Sequence, residues 1–103
     1  MNSFVLFYEL VDNFVARRAE FREEHLKLID AAHRGGGLVL AGALMEPADR
    51  ALLVFRSQDR SAAENFARKD PYVVNGLVTR WEVRPWAVVT GQDPLAAMKG
   101  GAR

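Results

Sequence analysis

The sequence contains no cysteine among its 103 residues. Disulfide frameworks, thiolate zinc sites and thiol nucleophiles are therefore excluded, and the absence is typical of a reducing compartment, so we expect the cytoplasm. The chain also lacks an excess of either charge, since 14 Lys and Arg face 13 Asp and Glu. A formal charge of +1 produces no field that would hold a nucleic-acid backbone or an anionic membrane, and we expect neither as a partner.

Long hydrophobic runs are missing as well. No stretch reaches the ~18 apolar residues of a membrane helix, and the first ten residues lack the basic start and cleavage site of a signal peptide. Half of the chain is nevertheless hydrophobic, which suits one compact domain with a modest core. We predict that domain over residues 1–89, followed over residues 90–103 by a tail or dimer arm rich in glycine and small side chains.

The hydrophobic pattern changes along the chain between strand and helix periods. It predicts strands over residues 3–10, 38–44, 51–56 and 77–89, and helices over residues 14–34 and 61–69. A Ser61-x-x-Glu64 capping box is expected to open the second helix, and Pro71 requires it to end at or before Asp70. The order β-α-β-β-α-β predicts a ferredoxin-like α+β fold, an antiparallel sheet with both helices on one face.

The predicted strands are apolar on both faces, although two helices cover only one. In the second strand we expect Leu38, Leu40 and Leu44 on one face, opposed to Val39, Ala41 and Ala43. A sheet surface that faces water is mostly polar, and a large apolar patch usually marks an interface. We therefore predict a homodimer packed through the sheet face.

A helical wheel over the first helix places His25 within an apolar stripe, with Arg18 beside the stripe and Arg22 further round the same flank. A buried polar group without a partner costs about 1 to 3 kcal/mol, so these residues need partners. One interpretation is a core histidine bonded to a carbonyl, which the spacing alone favours. The other is a functional histidine.

Asp70 is the natural carboxylate to consider as a partner of His25, because Pro71 fixes it at a helix end. A carboxylate there would hold the tautomer of a general-base histidine and stabilise its protonated form. The alternative is a simple helix stop. A carboxylate at a helix C-terminus opposes the helix dipole, which counts against a purely structural role.

The remaining candidates indicate structural roles. His33 lies in the last turn of the first helix, where a cation complements the dipole. The glycines at 35–37 leave a helix instead of entering one, so they form a cap and not a phosphate loop. The two histidines stand eight residues apart and do not make an i,i+4 metal pair, so we expect no metal.

Five segments in order resemble the YCII-related (YciI-like) family of dimeric α+β-barrel proteins: Arg22-Glu-Glu-His25-Leu26, Leu38–Leu44, Leu52–Phe55, Asp70-Pro-Tyr-Val73 with Gly76-Leu77, and Trp81–Trp86. The resemblance runs from the first strand to about Val89. It implies a His and Asp pair at an active site, which maps onto His25 and Asp70, and an arginine before the histidine, matched by Arg22. Ala43 departs from the proline common in the family, a difference that concerns the shape of the pocket.

The resemblance also implies an activity, because one type of relative removes hydrogen chloride from a chlorinated hydroxyhydroquinone without a cofactor. We accordingly expect a cofactor-independent enzyme in which His25 takes a phenolic or enolic proton and Asp70 orients it. Arg18 or Arg22 would hold the developing oxyanion, and Tyr8 joins the arginines as a substrate-binding candidate. Three alternatives stay open: a non-catalytic small-molecule-binding dimer, a cofactor-free oxygenase of the same fold, and an accessory subunit.

Overall fold

The computed structural model describes residues 1–91 and contains one sheet with helices packed on it. In chain order the elements are β1 (Asn2–Leu10), α1 (Phe14–Arg17), a 3₁₀ turn (Arg18–Glu20), α2 (Arg22–Gly35), β2 (Leu38–Leu44), β3 (Arg50–Ser57), α3 (Ser61–Lys69), α4 (Pro71–Val74) and β4 (Val78–Pro85). The strand order is β2-β3-β1-β4, with every neighbouring pair antiparallel. This arrangement confirms the predicted ferredoxin-like α+β fold.

The core lies between the sheet and the helices. Alternate residues of β1 and β3 enter it, and Ala63, Phe66 and Ala67 of α3 close it from the other side. Leu6 and Leu77 are fully buried in this cluster. None of the helices within residues 1–91 is long and apolar enough to cross a membrane. The predicted domain boundary at residue 89 stays a prediction, and most of the predicted tail, residues 92–103, lies outside the described part of the chain.

The predicted helix over residues 14–34 is wrong in one respect, because the chain leaves helical geometry at Phe21 (φ −113°, ψ 2°). No glycine or proline marks this point. Phe14 is buried and Phe21 is packed against the core, and this packing, instead of local propensity, determines where the helix divides. The break separates Arg18, in the 3₁₀ turn, from Arg22, the first residue of α2.

One element boundary and one helix cap also differ from prediction. The last strand ends at Pro85 instead of Val89, since proline has no N–H to continue the ladder. At the start of α3, Ser61 is not the cap but a helical residue. Both its backbone N–H (2.9 Å) and its hydroxyl (2.6 Å) donate to Asp59 Oδ1. The predicted capping box is therefore replaced by a carboxylate two residues earlier.

A β-bulge in β2 corrects the predicted faces of that strand. Leu38 is paired with Phe55, but Leu40 is paired with the next residue, Val54, so the register shifts between them. Because successive side chains alternate faces, the shift leaves Leu38 in the core and turns Leu40 to the opposite face. The small side chain of Ala41 now faces the helices.

Candidate active site

A cavity of about 210 Å³ lies between the first helical segments, α4 and the sheet. Four of the five predicted site residues line it: Tyr8, Arg18, Arg22 and His25. The fifth, Asp70, is fully buried and lies behind His25. Four small residues, Ala41, Gly42, Ala43 and Ala51, form part of the sheet wall and leave space there.

The backbone around Asp70 fixes its carboxylate. Asp70 ends α3 and, in extended geometry (φ −66°, ψ 122°), also caps α4, with Pro71 at the first helical position. Its Oδ1 accepts the N–H of Tyr72 at 3.0 Å. The prediction that the dipole disfavours a structural role here was wrong, because a negative charge at the start of α4 is favourable.

The buried carboxylate of Asp70 accepts two further hydrogen bonds, from side chains distant in sequence. Tyr8 Oη donates to Oδ2 at 2.7 Å, and His25 Nδ1 lies 2.8 Å from Oδ1. An ionised carboxylate has only acceptors, so His25 carries its proton on Nδ1 in this pair. The lone pair of Nε2 is then free to accept a proton.

Tyr8 lines the cavity with its ring, while its hydroxyl is bonded to Asp70. Burial raises the pKa of Tyr8 strongly, and the negative charge of Asp70 and the hydrogen bond to it raise it further. Tyr8 therefore stays a protonated donor. It supports the position of Asp70 and does not act as a base.

Tyr72 is the residue of this site that sequence reasoning missed. Its ring is stacked on His25, with centroids 3.8 Å apart and planes 13° apart, and it meets Phe14 edge to face at 5.4 Å. The signal was available in Asp70-Pro71, a pair typical of a helix start, which places the residue after Pro71 beside Asp70.

Two positively charged side chains line the cavity. The Arg18 guanidinium lies over the Phe14 ring, 5.6 Å from its centroid, and Arg22 lines the same cavity. Within residues 1–91 neither arginine forms an ion pair with a carboxylate. The cavity thus combines an imidazole held by a carboxylate with two cations that pair with no acidic side chain of the described residues.

The other predicted features lie away from this cavity. His33 Nδ1 is 2.9 Å from the carbonyl of Leu38, joining the end of α2 to β2. Across the described part of the chain, no three His, Asp or Glu side chains are grouped to hold a metal ion.

Solved structures of similar fold include an enzyme and a dimer. The 5-chloro-2-hydroxyhydroquinone dehydrochlorinase of Burkholderia phenoliruptrix, in complex with 2,5-dihydroxybenzoquinone, aligns with a TM-score of 0.70 and 14% identity, over 82% of this chain and 92% of that one. A dimeric ferredoxin-like protein from an uncultured marine organism aligns with a TM-score of 0.50 and 13% identity, over 89% and 92%. A Deinococcus radiodurans protein assigned as an antibiotic biosynthesis monooxygenase aligns with a TM-score of 0.53 and 13% identity, over 89% of this chain and 96% of that one. At these identities the likeness shows the fold alone.

The family comparison agrees with the resemblance carried by the sequence motifs. No curated protein matches the sequence. The model of the YCII-related domain, however, matches residues 2–87, which include β1, the cavity and β4. The chain therefore belongs to the family of YCII-related domains.

Proposed function

We propose that this protein is a cofactor-independent enzyme that uses His25 and Asp70 for general acid/base chemistry, an elimination or isomerisation, on a small oxygenated molecule. The observation that carries the proposal is the 2.8 Å contact between His25 Nδ1 and buried Asp70 Oδ1 at the wall of a cavity. A base held in one tautomer by a carboxylate is the arrangement that proton abstraction requires.

The proposed reaction begins when His25 Nε2 takes the proton of a phenolic or enolic hydroxyl. Arg18 or Arg22 stabilises the resulting oxyanion, whose charge spreads onto carbon. In an isomerisation the His25 imidazolium returns the proton to that carbon. In an elimination the carbon that receives this proton also carries a leaving group such as chloride. His25, neutral again, then takes the proton of a second ring hydroxyl, whose electrons form a carbonyl and shift the ring double bond as chloride departs with the electron pair of its bond to carbon. Asp70 stabilises the imidazolium between these steps.

The size of the cavity supports a substrate with a single ring. A protein cavity of about 150 Å³ holds benzene, and the cavity here measures about 210 Å³. The additional volume suits a few oxygen or halogen substituents. The dehydrochlorinase of similar fold, solved with 2,5-dihydroxybenzoquinone, supports the same class of molecule at a low sequence identity.

The test is His25→Asn, assayed with 5-chloro-2-hydroxyhydroquinone for chloride release and with single-ring phenols and enols for tautomerisation. We expect turnover to fall by at least about 100-fold, the usual minimum contribution of a positioned acid or base. His33→Asn, on the same helix but away from the cavity, is the matched control and should keep its turnover.

Three results would contradict this proposal. Unchanged turnover in His25→Asn would remove His25 as the base. Saturable binding without product would favour the non-catalytic binder. Consumption of dioxygen with quinols would favour the oxygenase, a function with which one protein of similar fold is associated.

The functional unit we propose is a homodimer through the sheet face that the helices leave open. This outer face is lined mainly by apolar residues from the strands and their ends, with one charged residue, Arg84, among them: Val5, Phe7, Leu40, Leu44, Leu52, Val54, Pro85 and Trp86. Leu40 is 69% exposed and Trp86 51%. A surface of this kind needs a cover, and a second copy offers an identical apolar face. The cytoplasmic location, expected from the lack of cysteine, stays a prediction.

A further inference from the structure

The buried hydroxyl of Tyr72 makes no hydrogen bond of normal geometry to any described residue, although the Arg22 guanidinium lies near enough to interact with it. The whole residue is only 4% exposed, and it lines the cavity. Buried polar atoms are almost always bonded, so an unpaired one needs an explanation.

The contacts of the Tyr72 ring do not explain its hydroxyl. Stacking on His25 and edge-to-face packing on Phe14 use the ring carbons, and phenylalanine would make both contacts equally well. A buried hydroxyl without a partner destabilises the folded protein. A purely structural role would therefore favour phenylalanine at this position.

The charges around Tyr72 indicate which kind of ligand atom would suit its hydroxyl. Burial raises the pKa of Tyr72, and the negative charge of Asp70 adds to the rise. The positive charges of Arg22 and Arg18, together with a hydrogen-bonding interaction from Arg22, oppose it. Because a tyrosine hydroxyl is able to donate a hydrogen bond, an oxyanion placed here would meet one neutral donor and two guanidinium groups. A neutral oxygen would gain much less from the two charges.

We propose that Tyr72 Oη donates a hydrogen bond to an ionised oxygen of the ligand, forming with Arg18 and Arg22 a subsite that selects phenolates, enolates or carboxylates on a single ring. This inference rests on the proposed small-molecule site and adds to it a residue that determines specificity. The Tyr72 hydroxyl then donates a hydrogen bond only when the ligand is bound.

The experiment uses Tyr72→Phe in the full chain and measures ligand affinity by calorimetry. The probes are 2,5-dihydroxybenzoquinone, 4-nitrophenolate and benzoate, with neutral 1,4-dimethoxybenzene as the control ligand. We expect the anions to bind about 10-fold to 150-fold more weakly to the variant, the usual contribution of a hydrogen bond to a charged group. Affinity for the neutral control should stay the same.

Urea unfolding separates this function from a structural one. Tyr72→Phe should keep or raise the midpoint, because it removes an unpaired buried hydroxyl. Tyr8→Phe, the matched loss of a hydroxyl that is bonded to Asp70, should lower it. In the double variant Tyr72→Phe with Arg22→Gln, anion affinity should fall less than the product of the single losses, since both groups bind the same oxygen.

The inference is overturned if Tyr72→Phe binds the anions as tightly as the wild type, if it lowers the midpoint as Tyr8→Phe does, or if the wild type binds none of the three anions. These results are independent of turnover in His25→Asn. A variant of His25 that stays active would remove the acid/base function and leave the anion subsite standing. Normal anion affinity in Tyr72→Phe would remove the subsite and leave the acid/base function.

Discussion

Asp70 combines structural and positioning roles in one buried carboxylate. It caps α4 through the Tyr72 N–H, accepts the Tyr8 hydroxyl and holds His25. Removing it would leave three donors without a partner, and the loss of stability would hide any effect on chemistry. His25 is the better residue for testing function, because its side chain bonds to Asp70 from the cavity side.

At the same scale, Tyr8 provides a prediction on pH. Its pKa is raised in the folded state, so above about pH 10 the unfolded chain loses a proton that the folded chain keeps. Greater proton binding by the folded state means that stability falls as the pH rises. Tyr8 should contribute a decline of about 1.4 kcal/mol per pH unit in the free energy of unfolding above pH 10.

Urea titrations between about pH 9 and pH 11 check this prediction. Tyr8→Phe should start less stable than the wild type and show the shallower decline, since phenylalanine has no proton to lose. The two proteins share all their lysines and Tyr72, so these groups contribute equally to both curves. Parallel curves would show that the Tyr8 hydroxyl ionises as easily in the folded protein as in the unfolded one.

At the scale of elements, the turn from α2 into β2 depends on Gly37. Its φ is +85°, and a Cβ built there would lie 2.5 Å from the backbone carbonyl oxygen of Arg56. The same residue accepts the Arg56 N–H through its own carbonyl at 2.8 Å. No side chain fits between two backbones held this close.

Gly37→Ala should therefore lower the free energy of unfolding by at least about 1 to 2 kcal/mol, the cost of a left-handed conformation in a residue with a side chain. Gly35→Ala is the matched control, because a Cβ at Gly35 meets no atom within 4 Å. At the end of α2 it should be neutral or stabilise the protein by up to about 1 kcal/mol. Urea denaturation of both variants measures the difference, and equal effects would contradict it.

At the scale of elements, the correct predictions are those that depend on the local sequence pattern. The element order, β2 and α3 follow from periodicity and from Pro71, which acts within its own neighbourhood. The divided first helix and the bulge in β2 carry no such signal. They arise because Phe21 and Leu38 must reach a core built by distant residues, and long-range packing overrides local propensity.

The candidate site shows the same division. His25 was found from its position in an apolar stripe, and Asp70 from the adjacent proline together with the family resemblance. Tyr72 escaped because its importance comes from contacts with Phe14 and His25, more than 40 residues away in sequence. Contacts between residues so far apart in sequence are determined by the fold, and the hydrophobic periodicity of the sequence does not predict them.

At the scale of the whole molecule, the two faces of the sheet have different surroundings. One face carries the core and the cavity, whereas the outer face presents paired apolar side chains such as Val5 opposite Val54 and Phe7 opposite Leu52. Ala41, Gly42 and Ala43 of β2 border both the cavity and the outer groove of about 660 Å³. A partner seated on the outer face would therefore contact the strand that shapes the site.

The homodimer is tested by Leu40→Glu. Leu40 is 69% exposed, so the charge should not disturb the fold of one chain. Burying one leucine stabilises an interface by about 1.5 to 3 kcal/mol. A two-fold symmetric dimer contains the substitution twice, so the loss is doubled. Together these losses weaken the dimer by about 100-fold to 10,000-fold in Kd. Val15→Glu is the matched control, because Val15 is 49% exposed on α1 and is not among the residues that line the outer face. Sedimentation at micromolar concentration should give a dimer for the wild type and for Val15→Glu, and a monomer for Leu40→Glu. A monomeric wild type would show that no second copy covers the outer face.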